Sequence, residues 1–229
     1  MTHVQQILSV PRAVLEERLQ GIPLGFTMQP ELLAAFQDTV RTAGAFGPRP
    51  ALEEDPTYLQ IIVQGLVTDG TSVLALFRQS RERSAERFVE TRHNTKVALS
   101  AGGHVEPVEE GSQDILRSAL ERELHEELVF DPAPALPTLT PLGLVSTAAP
   151  DAELFHRVHI GIVYRVPLPG VVRLPEASDE FTHVELVRGS ALEALLPRME
   201  GWGQLLATAI LDERLSLSVP ETVATTRSA

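Results

Sequence analysis

Glu123, Glu126 and Glu127 fall within five consecutive residues, spaced three and four apart. On a helix that spacing places all three carboxylates over one patch. Like charges so close repel unless a cation sits among them. The chain has no cysteine, so any metal must be held by oxygen or imidazole, which suits Mg²⁺ or Mn²⁺. Arg122, next to Glu123, can fix a carboxylate or reach a phosphate through its planar fork. An acidic helix alone usually marks a solvated face. Here a Gly102-Gly103 pair lies just upstream, where backbone can approach a ligand closely. Together these residues suit metal-assisted phosphoryl chemistry.

The carboxylates need a helix under them, and Ile115, Leu116, Ala119, Leu120, Leu124 and Leu128 supply its buried stripe, predicting a helix over 114–129. Strand-like runs precede it at 59–63 and 72–77, joined through Asp69-Gly70, a hairpin signal. A third short strand over 96–100 leads into the glycines. Downstream, 138–146, 156–166 and 182–187 read as strands, and 191–196 and Gly201–Leu211 as helices. At the start, residues 3–11 read as a strand, and Arg12–Leu19 and 30–42 as helices. Gly44, Gly47, Pro48 and Pro50 then break the pattern. The expected organisation is an extension over 1–47, a domain over 48–216 and a frayed tail over 217–229. Strands on both sides of one central helix predict an α/β (α+β) class with mixed layers.

The run Arg122-Glu123-Leu124-His125-Glu126-Glu127 resembles the core of the Nudix box, G-x5-E-x7-R-E-U-x-E-E-x-G-U with U apolar, and Gly102-Gly103 resembles its opening. The resemblance implies an α/β/α sandwich with a mixed central sheet. It also implies Mg²⁺ or Mn²⁺ held by Glu123, Glu126, Glu127 and the Gly103 carbonyl, for attack of water on a diphosphate. Arg122 and the three glutamates become the catalytic candidates, with Gly102, Gly103, His104 and Arg78 on the substrate. Departures from the pattern are visible. Counting back from Arg122 places Asp114 at the first acid and Val108 at the first glycine, which implies an insertion around 107–111. Val129 stands at the closing glycine. Gly102-Gly103-His104, residues 54–60, His159-Ile160-Gly161 and Glu200-Gly201-Trp202 also resemble one Nudix subgroup, extending the likeness over roughly 48–205.

Outside the box, His104 can touch a phosphate, act as acid or base, or fix its own loop. His156 and His159 have odd spacing on one expected strand, so only one of them should face a site. Arg78, Arg81, Arg83, Arg87 and Arg92 are interleaved with Glu82, Glu86 and Glu90, the pattern of a solvated loop from which Arg78 is assigned to a substrate phosphate. Nudix members often carry a further carboxylate beyond the box, and Glu180 is assigned that part. Trp202 can stack on a base or pack with Leu205, Leu206 and Ile210.

Over 229 residues the net charge is −12, which disfavours binding to a nucleic-acid backbone. The composition, 43% apolar and 22% charged, is that of a chain with its own core, without a membrane span or leader. The expected protein is cytoplasmic, a homodimer, and takes a small-molecule diphosphate. The leading expectation is a metal-dependent pyrophosphohydrolase of a nucleoside diphosphate linked to another moiety. The alternative is a non-catalytic nucleotide-binding or regulatory module on the same fold. An isomerase is disfavoured, since the resemblance there requires a cysteine.

Overall fold

The computed structural model describes residues 4–79, 96–131, 139–168 and 170–218. Arg81, Arg83, Arg87, Arg92 and their interleaved glutamates lie outside the described residues. In chain order the elements are β1 (Gln6–Pro11), α1 (Arg12–Leu19), β2 (Gly25–Thr27), α2 (Pro30–Ala43), β3 (Ala45–Pro48), α3 (Arg49–Leu52), β4 (Tyr58–Thr68), β5 (Val73–Arg78), β6 (Val97–Ala98) and β7 (Ala101–His104). They continue with α4 (Ile115–Glu127), β8 (Val129–Asp131), β9 (Thr140–Ser146), α5 (Leu154–Arg157), β10 (His159–Pro167), β11 (Val171–Arg173), β12 (Phe181–Val187), α6 (Gly189–Leu195) and α7 (Gly201–Leu211).

β4 is the axis of the molecule. Its apolar run is nearly unbroken because both faces are covered, the pattern of a strand buried on two sides. One edge pairs in parallel with β10 from His159↔Gln60 to Pro167↔Thr68. The other edge is shared in turn by β1, by β7 and by β5. Leu59, Ile61 and Val63 point to one face, against Leu15 of α1, Phe36 of α2 and Leu120 and Leu124 of α4. Leu66 and Val163 point to the other, against Leu192 of α6 and Leu206 and Ala207 of α7. Helices on both faces of one mixed sheet make an α/β/α sandwich, as expected. No helix among the described residues is long and apolar enough to cross a membrane.

Residues 6–48 build into this sheet. β1 pairs with β4 and with β3, and β2 pairs with β9. The Gly44 to Pro50 stretch reads as a break from local signals, yet it holds β3 because β1 offers it an edge. The Asp69-Gly70 hairpin forms as expected, with Asp69 accepting from the Thr71 and Ser72 amides and Gly70 at φ +95°. α4 stops at Glu127, and Val129 opens β8 instead of a glycine turn. The strand expected over 156–166 begins only at His159, because Leu154–Arg157 coil into α5.

Leu120 is fully buried on the underside of α4. Leu120→Ala should lower unfolding stability by about 3 kcal/mol, measured in denaturant, because it leaves a cavity between helix and sheet.

Candidate functional site

Asp114 starts α4 by accepting from the Arg117 amide, and the Leu116, Leu120 and Leu124 stripe pins the helix to the sheet. The opposite side of its last two turns then lies over β7. Gly102 has φ +146°, and a Cβ there would lie 2.1 Å from the Val63 carbonyl oxygen. At Gly103 a Cβ would lie 2.6 Å from Glu123 Oε1. Gly102 is required by the backbone of β4, and Gly103 leaves the room that the Glu123 carboxylate fills. The Gly102 amide donates to Glu127 Oε2 at 3.0 Å, fixing the second carboxylate on the same strand.

This closeness removes water from the carboxylates. Burial raises the Glu123 pKa to about 7, against relief from Arg122 and with a further push from Glu126. Glu127 lies well above the usual carboxylate range through burial, then through the charges of Glu180 and Glu123. A buried carboxylate without a matching cation favours its neutral form. The oxygen donors suit a hard divalent ion in type, and the desolvated charge is what such an ion would offset. Among the described residues no three acidic or imidazole side chains already converge at metal-ligand spacing. Arg122 draws two of them to itself, with Nη1 at 2.9 Å from Glu123 and 3.2 Å from Glu126.

Arg122 is itself anchored by Glu109, through Nε to Oε1 at 2.7 Å, and by the His104 carbonyl at 2.8 Å. The Glu109 side chain is only 4% exposed. Asp114 sits at the surface as a helix cap, whereas Glu109 is buried against Arg122. The expectation counted back from Arg122 across an insertion and missed Glu109. Counting forward from Gly103 gives five residues and then a glutamate, the spacing G-x5-E, and moves the insertion to between Glu109 and Arg122.

Arg78 lies in the same cavity but is engaged by Glu180 and Glu200, and its guanidinium stacks 5.0 Å over Phe181. Burial opposes its charge, and the two carboxylates outweigh burial and raise its pKa. Glu180 is placed by the ladder of β12 on β5, where its carbonyl accepts from the Gln79 amide. Glu200, at the start of α7, was not among the expected residues. Its signal in the sequence was the Glu200-Gly201-Trp202 segment of the family resemblance.

The cavity is about 420 Å³ and is lined by every expected site residue: Gly102, Gly103, His104, Arg78, Arg122, Glu123, Glu126, Glu127 and Glu180. His104 Nε2 lies 2.8 Å from Gln60 Oε1, and burial, then Arg49, hold its pKa well below the usual histidine range. The ring is therefore neutral and fixed at neutral pH. His156 and His159 both line the cavity, correcting the expectation that only one could. They sit on different elements, so strand alternation does not apply. Arg12 supports this wall from behind, donating to the Pro56 carbonyl at 2.7 Å and to the Arg157 carbonyl. Trp202 both packs on Gly161, where a Cβ would meet the indole at 2.7 Å, and faces the cavity.

No protein-family model and no curated protein matches the chain. Among solved structures it is similar to Tm1382, itself an inferred Nudix hydrolase, with 26% identity and a TM-score of 0.71 over 91% of this chain and 100% of that one. Weaker likenesses include a bifunctional NMN adenylyltransferase/ADP ribose pyrophosphatase of Francisella tularensis complexed with AMP and a Mn ion. It shares 20% identity over 68% of this chain and 42% of that one, at a TM-score of 0.46. The NUDIX domain of Shewanella oneidensis NrtR, complexed with ADP ribose, shares 16% identity over 69% and 89%, at 0.44. The mixed sheet between helices matches the Nudix fold of Tm1382.

Two outcomes follow from the site. Glu109→Ala strips Arg122 of its buried partner and should cost about 2 kcal/mol in thermal unfolding, whereas Asp114→Ala should cost about 1 kcal/mol as a lost cap. For Glu123 the folded pKa lies above the unfolded 4.5, so its contribution is fully present below pH 4.5 and is lost as pH rises through about 7. Metal-free protein should therefore lose on the order of 3 kcal/mol between pH 5 and 8 from this group. Glu123→Gln should remove that part of the loss in melting curves across the range.

Proposed function

We propose that this chain is a Nudix-type, metal-dependent pyrophosphohydrolase acting on a nucleoside diphosphate linked to another moiety. The observation that carries the reading is the pair of desolvated carboxylates, Glu123 and Glu127, pressed against the backbone of Gly102 and Gly103. The likeness to Tm1382 over nearly the whole chain supports it.

In this reading Glu123, Glu126, Glu127 and the Gly103 carbonyl would hold Mg²⁺ or Mn²⁺. Such an ion, when bound, polarises phosphoryl oxygens and makes an attacking water more acidic. Glu109 keeps Arg122 in place, and Arg122 keeps Glu123 and Glu126 turned to the common patch. In this reading either Glu127, held by the Gly102 amide, or Glu180 would take the proton of the water. Arg78 holds Glu180 from the other side and offsets its charge. The Gly102-Gly103 strand lets the carboxylates of α4 approach the backbone. Neutral His104 walls the cavity without adding charge.

The test is turnover of a diphosphate panel: nucleoside diphosphate sugars, dinucleoside polyphosphates, NADH and coenzyme A, with Mn²⁺ and with chelator. Chelator-sensitive release of nucleotide is expected for at least one compound. On that compound Glu126→Gln or Glu127→Gln should lower kcat about a thousandfold with the circular-dichroism spectrum unchanged. Full activity in both variants would overturn the assigned roles.

A further inference from the structure

The cavity continues past the carboxylates to a wall that the acidic helix does not supply. Gln5 precedes β1 and Arg49 opens α3, yet both line this space together with Glu106 and Phe155. The three polar side chains form one row. Arg49 Nη1 donates to Gln5 Oε1 at 3.1 Å, and Gln5 Nε2 donates to Glu106 Oε1 at 2.7 Å. The Arg49 amide also donates to the Gln5 carbonyl at 2.9 Å, so backbone and side chain both fix the pair. Glu53 accepts from Arg49 Nε at 2.8 Å and balances its charge.

The wall sets one guanidinium, Arg49, against two carboxylates, Glu53 and Glu106, so it has little pull on a further anion, and its polar atoms disfavour a lipid or other apolar group. A guanidinium, a carboxamide and a carboxylate side by side offer donors and acceptors alternately. That arrangement suits hydroxyl groups, each of which donates and accepts. The Phe155 ring adds a flat apolar surface in the same space.

We propose that the Gln5–Arg49–Glu106 row is the specificity-determining end of the cavity and reads the hydroxyl groups of a sugar-like moiety joined to the diphosphate. The proposal rests on the pyrophosphohydrolase reading for the position of the diphosphate. It gives residues before β4 a direct part in substrate choice.

The test compares binding of ADP-ribose with binding of ADP, which lacks the second sugar, by calorimetry on the full chain with Ca²⁺. ADP-ribose should bind about tenfold more tightly than ADP, the scale of one or two hydrogen bonds to charged groups. Arg49→Gln and Gln5→Ala should each remove most of that difference and leave the affinity for ADP within about twofold, which also reports an intact fold. Equal weakening of both ligands, or a wild-type chain that holds ADP-ribose no better than ADP, would overturn the proposal. The same ligands with Mn²⁺ separate it from the hydrolase reading. Selective binding without cleavage would overturn hydrolysis and leave the row's assignment standing. Cleavage of ADP-ribose with a selectivity that neither variant moves would overturn the row alone.

Discussion

The close approach of α4 to β7 is the constraint on which the site depends. Glu123 occupies the space a side chain at position 103 would take, and Glu127 takes the amide of Gly102. A side chain at position 103 would displace the Glu123 carboxylate, and one at position 102 would strike the Val63 carbonyl of β4. The approach is held from below by Leu120 and Leu124 against the sheet, and from the side by Arg122, which joins α4 to Glu109 and to the His104 carbonyl. Desolvation of the carboxylates follows from this geometry. Their raised pKa values follow from the desolvation.

The second organising element is β4, because every wall of the cavity is referred to it. β7 lies on one edge with the glycines, β10 lies on the other with His159 and Gly161, and β1 brings Gln5 to the same end. Arg12 then ties the chain entering α1 to α5, so the turn carrying Phe155 and His156 is fixed by a residue far away in sequence. Arg78, with Glu180 and Glu200, closes the side next to α7.

Much of this was legible from local signals. The Leu116, Leu120 and Leu124 stripe marks α4, Arg12–Leu19 and Gly201–Leu211 carry their own helical periodicity, and Asp69-Gly70 marks its hairpin. The acidic patch could be read because three glutamates on one helix need no knowledge of the rest of the chain. What could not be read depends on tertiary pairing. β3 is a strand only because β1 lies beside it, and α5 takes up His156 and Arg157, which next to the apolar run of β10 look extended. Glu109 is hidden by the extra residues between it and Arg122, although it follows Gly103 at the spacing G-x5-E. Gln5 and Arg49 had no local signal, since their place at the cavity is set by the sheet order.

The most direct measurement is the location of Mn²⁺ in a crystal of the metal-soaked protein, read from its anomalous scattering. A peak is expected between β7 and the last turns of α4, within coordination distance of Glu123, Glu127 and the Gly103 carbonyl, with Arg122 still on Glu109. No peak at that place at saturating Mn²⁺, with Glu123 and Glu127 unmoved, would contradict the claim that these carboxylates are a cation site.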